Sequence, residues 1–297
     1  MSSSPLQIDF VDPLCGSDLP GTPLQQSGTY ASVLREFGCA SSLAEMRGGG
    51  ALLGRARVYL RRVGPLRLAW LPRGPVWSPA ASPNQRIQLT TTLPRAAPWR
   101  ALWASSDDAS GPRLGVPISK GVMLAQLDLR IDEASRRAAL DGKWRNRLKR
   151  AEAAGLRIMA RPLDMARDTP LLQREEAQRR TRRYAALPPG FTSRWANLAP
   201  RDSLMLIAEE GGAPIAFMLM LLHSDMATYH ISWTGTRGRA LNAHTLLLWR
   251  ASCLLAQSGY HSLDLGRADT AQTPGIARFK LGTGAIARNL APTRLRL

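Results

Sequence analysis

Asp264, Arg267, Phe279 and Lys280 bring a carboxylate, two cations and an aromatic ring into one short C-terminal stretch. The elements read around them put all four near the ends of neighbouring strands and loops, where sites on α/β sheets lie. Upstream, the aromatic strand MATYHISW, which carries Tyr229, opens through the turn TGTRGRALNAH onto an apolar helix. The unpaired N–H groups and positive dipole end of such a helix favour an anionic ligand. Other chemistries find no support. His223, His230, His244 and His261 show no triad or ligand spacing, Ser27, Ser193 and Ser252 lack a nucleophile elbow, and Cys15, Cys39 and Cys253 lack metal-ligand spacing. No metal is expected.

The elements that must hold these residues follow from periodicity. Met226 to Trp233 reads as a strand, the helix after it stops at Gly259, and a short strand ends at Asp264-Leu265-Gly266-Arg267. A loop then returns Phe279 and Lys280 to the sheet, with Gly282 and Gly284 allowing close backbone approach. Ser203 to Glu209 and Pro214 to His223 read as a hairpin about Gly211-Gly212. Earlier, Pro23 to Gly38 has helical spacing, and two apolar runs broken at Val63-Gly64-Pro65 suit a hairpin. Arg73-Gly74-Pro75 closes the second run, either as a rigid turn or with Arg73 and the backbone at Gly74 facing an anion. The stretch from Ser78 to Gly121, rich in Ser, Pro, Thr and Arg, shows a strand at Trp99 to Ala104 and a polar loop. From Asp132 one helix is expected as far as Gly155, and Leu171 to Tyr184 reads as a charged helix.

At 297 residues the chain is long enough for two domains, expected at 1–131 and 132–297. Forty Lys and Arg against 22 Asp and Glu leave a net charge of +18, which implies an anionic partner. Nucleic acid, a nucleotide-linked substrate, acyl-CoA and an anionic membrane all satisfy that charge. The helix after Asp132 concentrates it: Lys143, Arg145, Arg147, Lys149 and Arg150 surround a face of Trp144, Leu148 and Ala151. The N-terminal residues MSSSPLQIDF lack a secretory pattern and no apolar run is long enough to span a membrane, so a reducing, cytoplasmic setting without an integral membrane segment is expected. Oligomeric state is not readable.

Three segments in order, LPRGPVW from Leu71, KWRNRLKRAEAAGLRI from Lys143 and GYHSLDLGRADTAQTPGIARFKLGTGA from Gly259, resemble the Fem family of bacterial aminoacyltransferases. That family is built from acetyltransferase-like (GNAT) domains. The resemblance implies an α/β (α+β) protein of two GNAT-like domains, the first degenerate. It implies amide-forming acyl transfer, with aminoacyl-tRNA as donor, to an amine on a small molecule, peptide or cell-wall precursor. No tightly bound cofactor is implied. In such a site Lys280 offsets negative charge on the carbonyl oxygen, Phe279 packs against the aminoacyl end, and Asp264 or Asp269 takes the amine proton. Arg73, Gly74, Tyr229 and Arg267 become substrate contacts, and the basic helix a tRNA surface.

Two other readings stay open. GNAT enzymes using acyl-CoA hold its pyrophosphate on an Arg/Gln-x-x-Gly-x-Gly/Ala loop. Here Gly238 and Ala240 match, Gly235 stands where Arg or Gln is wanted, and Arg237 and Arg239 could still meet a phosphate. The second is a non-catalytic RNA-binding protein on a transferase fold. The helical-hairpin arm of several Fem proteins has no counterpart in this sequence.

Overall fold

Alternating and continuous apolar runs on either side of residue 123 close on separate sheets. In the computed structural model, which describes residues 5–13, 16–106, 115–182 and 187–296, they form two units, residues 1–123 with 289–297 and residues 124–288. Cys15, the polar loop expected near residues 107–113, and Arg183 and Tyr184 lie outside the described residues.

The first unit runs β1 (Leu6–Val11), a 3-10 turn (Leu24–Gln26), α1 (Gly28–Glu36), β2 (Ala40–Gly48), β3 (Ala51–Val63), β4 (Leu66–Pro72), β5 (Val76–Trp77), α2 (Pro83–Ala96), β6 (Leu102–Ser106) and β7 (Val116–Pro117). Helix α2 begins in the stretch rich in Ser, Pro, Thr and Arg, where no helix was expected. Ser82 accepts from the Gln85 N–H at 3.3 Å while its own N–H donates to Gln85 Oε1 at 2.9 Å, and Pro83 occupies the first helical position. Leu89 and Leu93, one turn apart, then bury against Met46, Val58, Leu71 and Trp103 of the sheet.

The second unit runs β8 (Val122–Asp128), α3 (Glu133–Ala138), α4 (Gly142–Ala153), β9 (Arg157–Arg161), α5 (Met165–Arg182), α6 (Pro189–Leu198), β10 (Ser203–Glu210), β11 (Ala213–His223), β12 (Met226–Thr234), α7 (Thr236–Ala240), α8 (Ala243–Gln257), β13 (Ser262–Arg267), α9 (Pro274–Leu281) and β14 (Ile286–Leu290). The sheet order is β14-β8-β13-β12-β11-β10-β9. The last strand, β15 (Arg294–Arg296), pairs with β6 and β7 of the first sheet.

These ladders relocate the expected division. Strand β8 pairs with β13, so it belongs to the second unit although the expected boundary followed it, and β15 returns the chain to the first. Only backbone hydrogen bonds between distant segments decide either assignment, and local sequence carries no trace of them. The single helix expected from Asp132 is two, because Asp141 turns its carboxylate onto the N–H groups of Lys143 and Trp144 and starts α4 afresh. No helix among the described residues is long and apolar enough to cross a membrane.

Strands β12 and β13 set up the site. Joined by the crossover helix α8, they run parallel but pair only over Met226–Thr228 and Ser262–Asp264. Beyond that point each is irregular: β12 shifts register between its partners Leu219 and Met220, and β13 between Asp264 and Arg267. The strands therefore part at Tyr229 on one side and Leu265 on the other, leaving a wedge at their C-terminal ends.

Candidate active site

Lys280 fills that wedge. The segment expected as a loop is helix α9, begun by Pro274 at its first position, and its inward face carries Ala277 and Lys280 three residues apart. Lys280 is 8% exposed, its Nζ donates to the Arg267 carbonyl at 2.8 Å, and the ammonium lies 5.7 Å from the centre of the Tyr229 ring. Burial pushes its pKa down to about 8, while the charge of Asp264 pulls the other way. Asp264, itself buried, accepts the Gly266 N–H at 2.7 Å. Gly266 is left-handed, with φ of 73°. A Cβ there would stand 3.7 Å from Lys280 Nζ, an ordinary contact, so it is the backbone angle that calls for glycine. The Tyr229 hydroxyl is hydrogen-bonded to Ser232, and burial raises its pKa, which keeps the phenol neutral. Of the ammonium's three N–H donors one is committed to Arg267, so the cation retains capacity for a developing oxyanion.

Lys280, Asp264, Tyr229 and the Arg267 backbone are thus brought together. The Arg267 side chain is not part of this group: it reaches Asp269 at 3.2 Å. Asp269 caps the following turn, and the N–H groups of Gln272 and Ala271 hold its carboxyl below the usual range, so it is poorly suited to take a proton.

Phe279, one helical step from Lys280, faces an open cleft of about 780 Å³ between the start of α4 and α9. Its rim is cationic, with Lys143, Arg147 and Arg278, and its wall aromatic, with Trp144 and Phe279 at 6.3 Å between ring centres. Trp144 donates to the Phe279 carbonyl at 3.0 Å, and the Asp141 N–H to the Gly282 carbonyl at 2.9 Å, which ties the two helices together. Gly282 favours that approach, since a Cβ would sit 3.0 Å from Trp144 as well as 2.8 Å from the Arg278 carbonyl of its own turn.

The basic helix divides by role. Lys143, Arg147, Lys149 and Arg150 are exposed, but Arg145 donates to the carbonyls of Ala138 and Leu140 at 2.9 and 3.0 Å and so closes the end of α3. Its charge serves the fold rather than a binding surface. Arg278 was missed; reading the Pro-initiated segment PGIARFK as a helix would have placed it beside Phe279 on the exposed side.

In the turn after β12, Arg237 forms a two-pronged pair with Glu210 at 2.7 and 2.6 Å, and Arg239 donates to the Thr234 carbonyl at 2.8 Å and the Thr236 hydroxyl at 3.2 Å. Gly238 is buried, and a Cβ on it would lie 2.5 Å from the Ile215 carbonyl, so this glycine lets α7 touch β11. Arg73 and Gly74 belong to the first unit. Arg73 has φ of 52°, its N–H donates to Ser106 and its guanidinium to Gln25, and Gly74 sits where a Cβ would strike Gln26 at 2.8 Å. Gln26 in turn donates to the Pro72 carbonyl at 2.7 Å, which holds this strand-end turn in place. Burial pushes His230 and His244 down to about 4, so both are neutral near pH 7. Among the described residues, no group of three or more His, Cys, Asp or Glu could hold a metal ion.

Residues 134–281 match the acetyltransferase (GNAT) domain family. The crystal structure of FemX shares the fold at a TM-score of 0.72 and 11% identity, over 92% of this chain and 91% of that one. A conserved protein of unknown function from Bacteroides thetaiotaomicron follows at 0.57 and 10% identity, over 91% of both chains. The C-terminal domain of a putative lysylphosphatidylglycerol synthetase from Agrobacterium fabrum aligns at 0.50 and 17% identity, over 80% of both. At such identities the likeness is one of fold. No curated protein matches the sequence.

Proposed function

We propose that this acyltransferase, whose second unit is a GNAT domain and whose fold is that of FemX, forms amides by transferring an aminoacyl group from aminoacyl-tRNA to an amine. The observation that carries the reading is a buried ammonium, Lys280, in the wedge where the parallel strands part; its helix neighbour Phe279 lines a cationic, aromatic-walled cleft.

The ester of a charged tRNA is already activated, so positioning and electrostatics suffice and no covalent intermediate is required. The acceptor nitrogen attacks the ester carbonyl, the new C–N bond forms, and the C–O bond to the ribose breaks. Lys280 stabilises the oxyanion between those events. Asp264, buried and electrostatically coupled to Lys280, takes the proton released by the amine and passes it to the departing ribose oxygen. Lys143, Arg147 and Arg278 hold phosphates of the acceptor end, while Trp144 and Phe279 offer stacking faces to its terminal base. The acceptor amine belongs to a small molecule, a peptide or a cell-wall precursor, and the chemistry is the same for each.

An acyl-CoA donor is the second reading, favoured by the GNAT match itself. Against it, Arg237 and Arg239, the cations nearest the expected pyrophosphate turn, are already engaged by Glu210 and Thr234. Single-turnover transfer from charged tRNA and from acetyl-CoA to a panel of amines separates the two. Turnover with charged tRNA alone is expected; turnover with acetyl-CoA alone refutes the donor assignment, and turnover with neither refutes catalysis.

A further inference from the structure

Strands β3 and β4 run on past the strands that flank them. Pairing of β2 with β3 stops at Leu60, and pairing of β6 with β4 begins at Leu68, so among the described residues 61–67 form a two-stranded finger with no further strand paired to either side. Its register is Arg61↔Leu68, Arg62↔Arg67 and Val63↔Leu66, closed by Gly64 and Pro65. Two features of this finger oppose its own stability. Val63 and Leu66, directly opposite each other at the end, are both 60% exposed. Behind them Arg62 and Arg67 also face each other, and like charges in that position repel. The side chains of Arg61, Arg62 and Arg67 make no hydrogen bond or ion pair to a described residue. An anion between the arginines would remove the repulsion, and an apolar phase around the end would remove the exposure.

Both conditions meet at the end of the finger, where Arg61 shares the face of Val63 and Leu66 while Arg62 and Arg67, one residue back, take the other face. The three arginines rim an open cleft of about 590 Å³ whose walls include Phe37, 41% exposed, and Trp99. Headgroup-sized anions fit there, and the apolar end lies directly beyond. A dissolved nucleotide or an RNA strand would satisfy the arginines but gives Val63 and Leu66 nothing to bury against. A bilayer carrying acidic lipid answers both, since apolar side chains enter the acyl boundary while arginines stay at the phosphates.

We propose that the finger and its cleft dock the first unit on an anionic lipid surface, with Val63 and Leu66 at the acyl boundary and Arg61, Arg62 and Arg67 on lipid phosphates. The finger thereby acts as a peripheral anchor independent of the transfer site.

The test is flotation of the full chain with vesicles of phosphatidylcholine, with and without 30 mol% phosphatidylglycerol. Wild type is expected to float with the acidic vesicles. The Arg61→Gln/Arg62→Gln/Arg67→Gln variant is expected to lose on the order of 10²-fold in affinity, at about fivefold per cation. Val63→Ser/Leu66→Ser keeps every charge and is expected to lose about tenfold, from apolar burial alone. A control removing three exposed cations elsewhere, Lys149→Gln/Arg150→Gln/Arg250→Gln, is expected to stay within about threefold of wild type. All three variants carry their changes at exposed positions, and melting temperatures equal to wild type confirm intact folds. Equal flotation of wild type and the Val63/Leu66 variant overturns the proposal, as does a control variant that falls as far as the finger variant. So does wild type that ignores acidic vesicles yet binds a single-stranded RNA 12-mer through the same arginines.

Discussion

Replacing Lys280 by methionine separates a catalytic ammonium from a structural one, because the two roles predict opposite balances of rate and stability. Its pKa falls from an ordinary 10.5 to about 8, so the ammonium dominates at pH 7 but sits in the fold at a cost. Between those values the unfolded chain holds more protons than the folded one, and wild-type stability therefore rises as pH climbs from 8 towards 10.5. The size of that rise is about 3 kcal/mol at 1.36 kcal/mol per pK unit. Methionine removes the desolvated charge but leaves the Arg267 carbonyl without its partner, a loss of about 1–3 kcal/mol. The two nearly cancel, so at pH 7 the variant is expected within about 2 kcal/mol of wild type by urea denaturation, without the alkaline rise. Single-turnover transfer, in contrast, is expected to drop on the order of 10²–10³-fold, with donor binding changed by less than about fivefold. In wild type the chemical rate is expected to fall about tenfold per pH unit above 8 as the ammonium is lost. A rate that instead climbs to a plateau above pH 8 makes the neutral amine the working form and refutes the oxyanion role. A variant with unchanged single-turnover rate refutes any part in the chemistry.

Charge reversal at Lys143, Arg147 and Arg278 together is expected to weaken tRNA binding and flatten its salt dependence by a slope of roughly 2–3, whereas Arg145→Gln is expected to cost about 1–3 kcal/mol of stability and leave that slope alone; filter binding across a salt series and urea melts check both. Gly238→Ala forces a methyl to within 2.5 Å of the Ile215 carbonyl and is expected to destabilise by about 1–3 kcal/mol in the same melts. His230 and His244 titrate near 4 when folded and near 6.5 when unfolded, so stability is expected to fall as pH drops from 6.5 towards 4, and His230→Gln to flatten part of that fall.

Local chemistry was readable where it was punctuated. The hairpin turns at Gly64-Pro65 and Gly211-Gly212 stand as expected, because residues with positive φ or fixed φ leave the chain few alternatives. The same punctuation misled at Pro83 and Pro274, which begin helices; a proline at a first helical position looks, in sequence, like one in a loop. Around the site, the strands of Tyr229 and Asp264 could be drawn from periodicity, but their parting could not, because it depends on irregular pairing with β11 and β8. That Lys280 points inward and Phe279 into the cleft follows from a helix where a loop was expected. Arg145 was indistinguishable from its basic neighbours, since what sets it apart is two carbonyls of the preceding turn.

Strand β15 has a consequence for the order in which the protein takes shape. It lies between β6 and β7 in the first sheet, yet all of residues 124–288 precede it in the chain. A ribosome releases residues in sequence, so the first unit emerges with β6 and β7 unbridged and must wait for the whole second unit to be synthesised before its sheet can close. During that interval β6 presents an unsatisfied edge, open to pairing with another nascent chain. The unit made first is thus finished last.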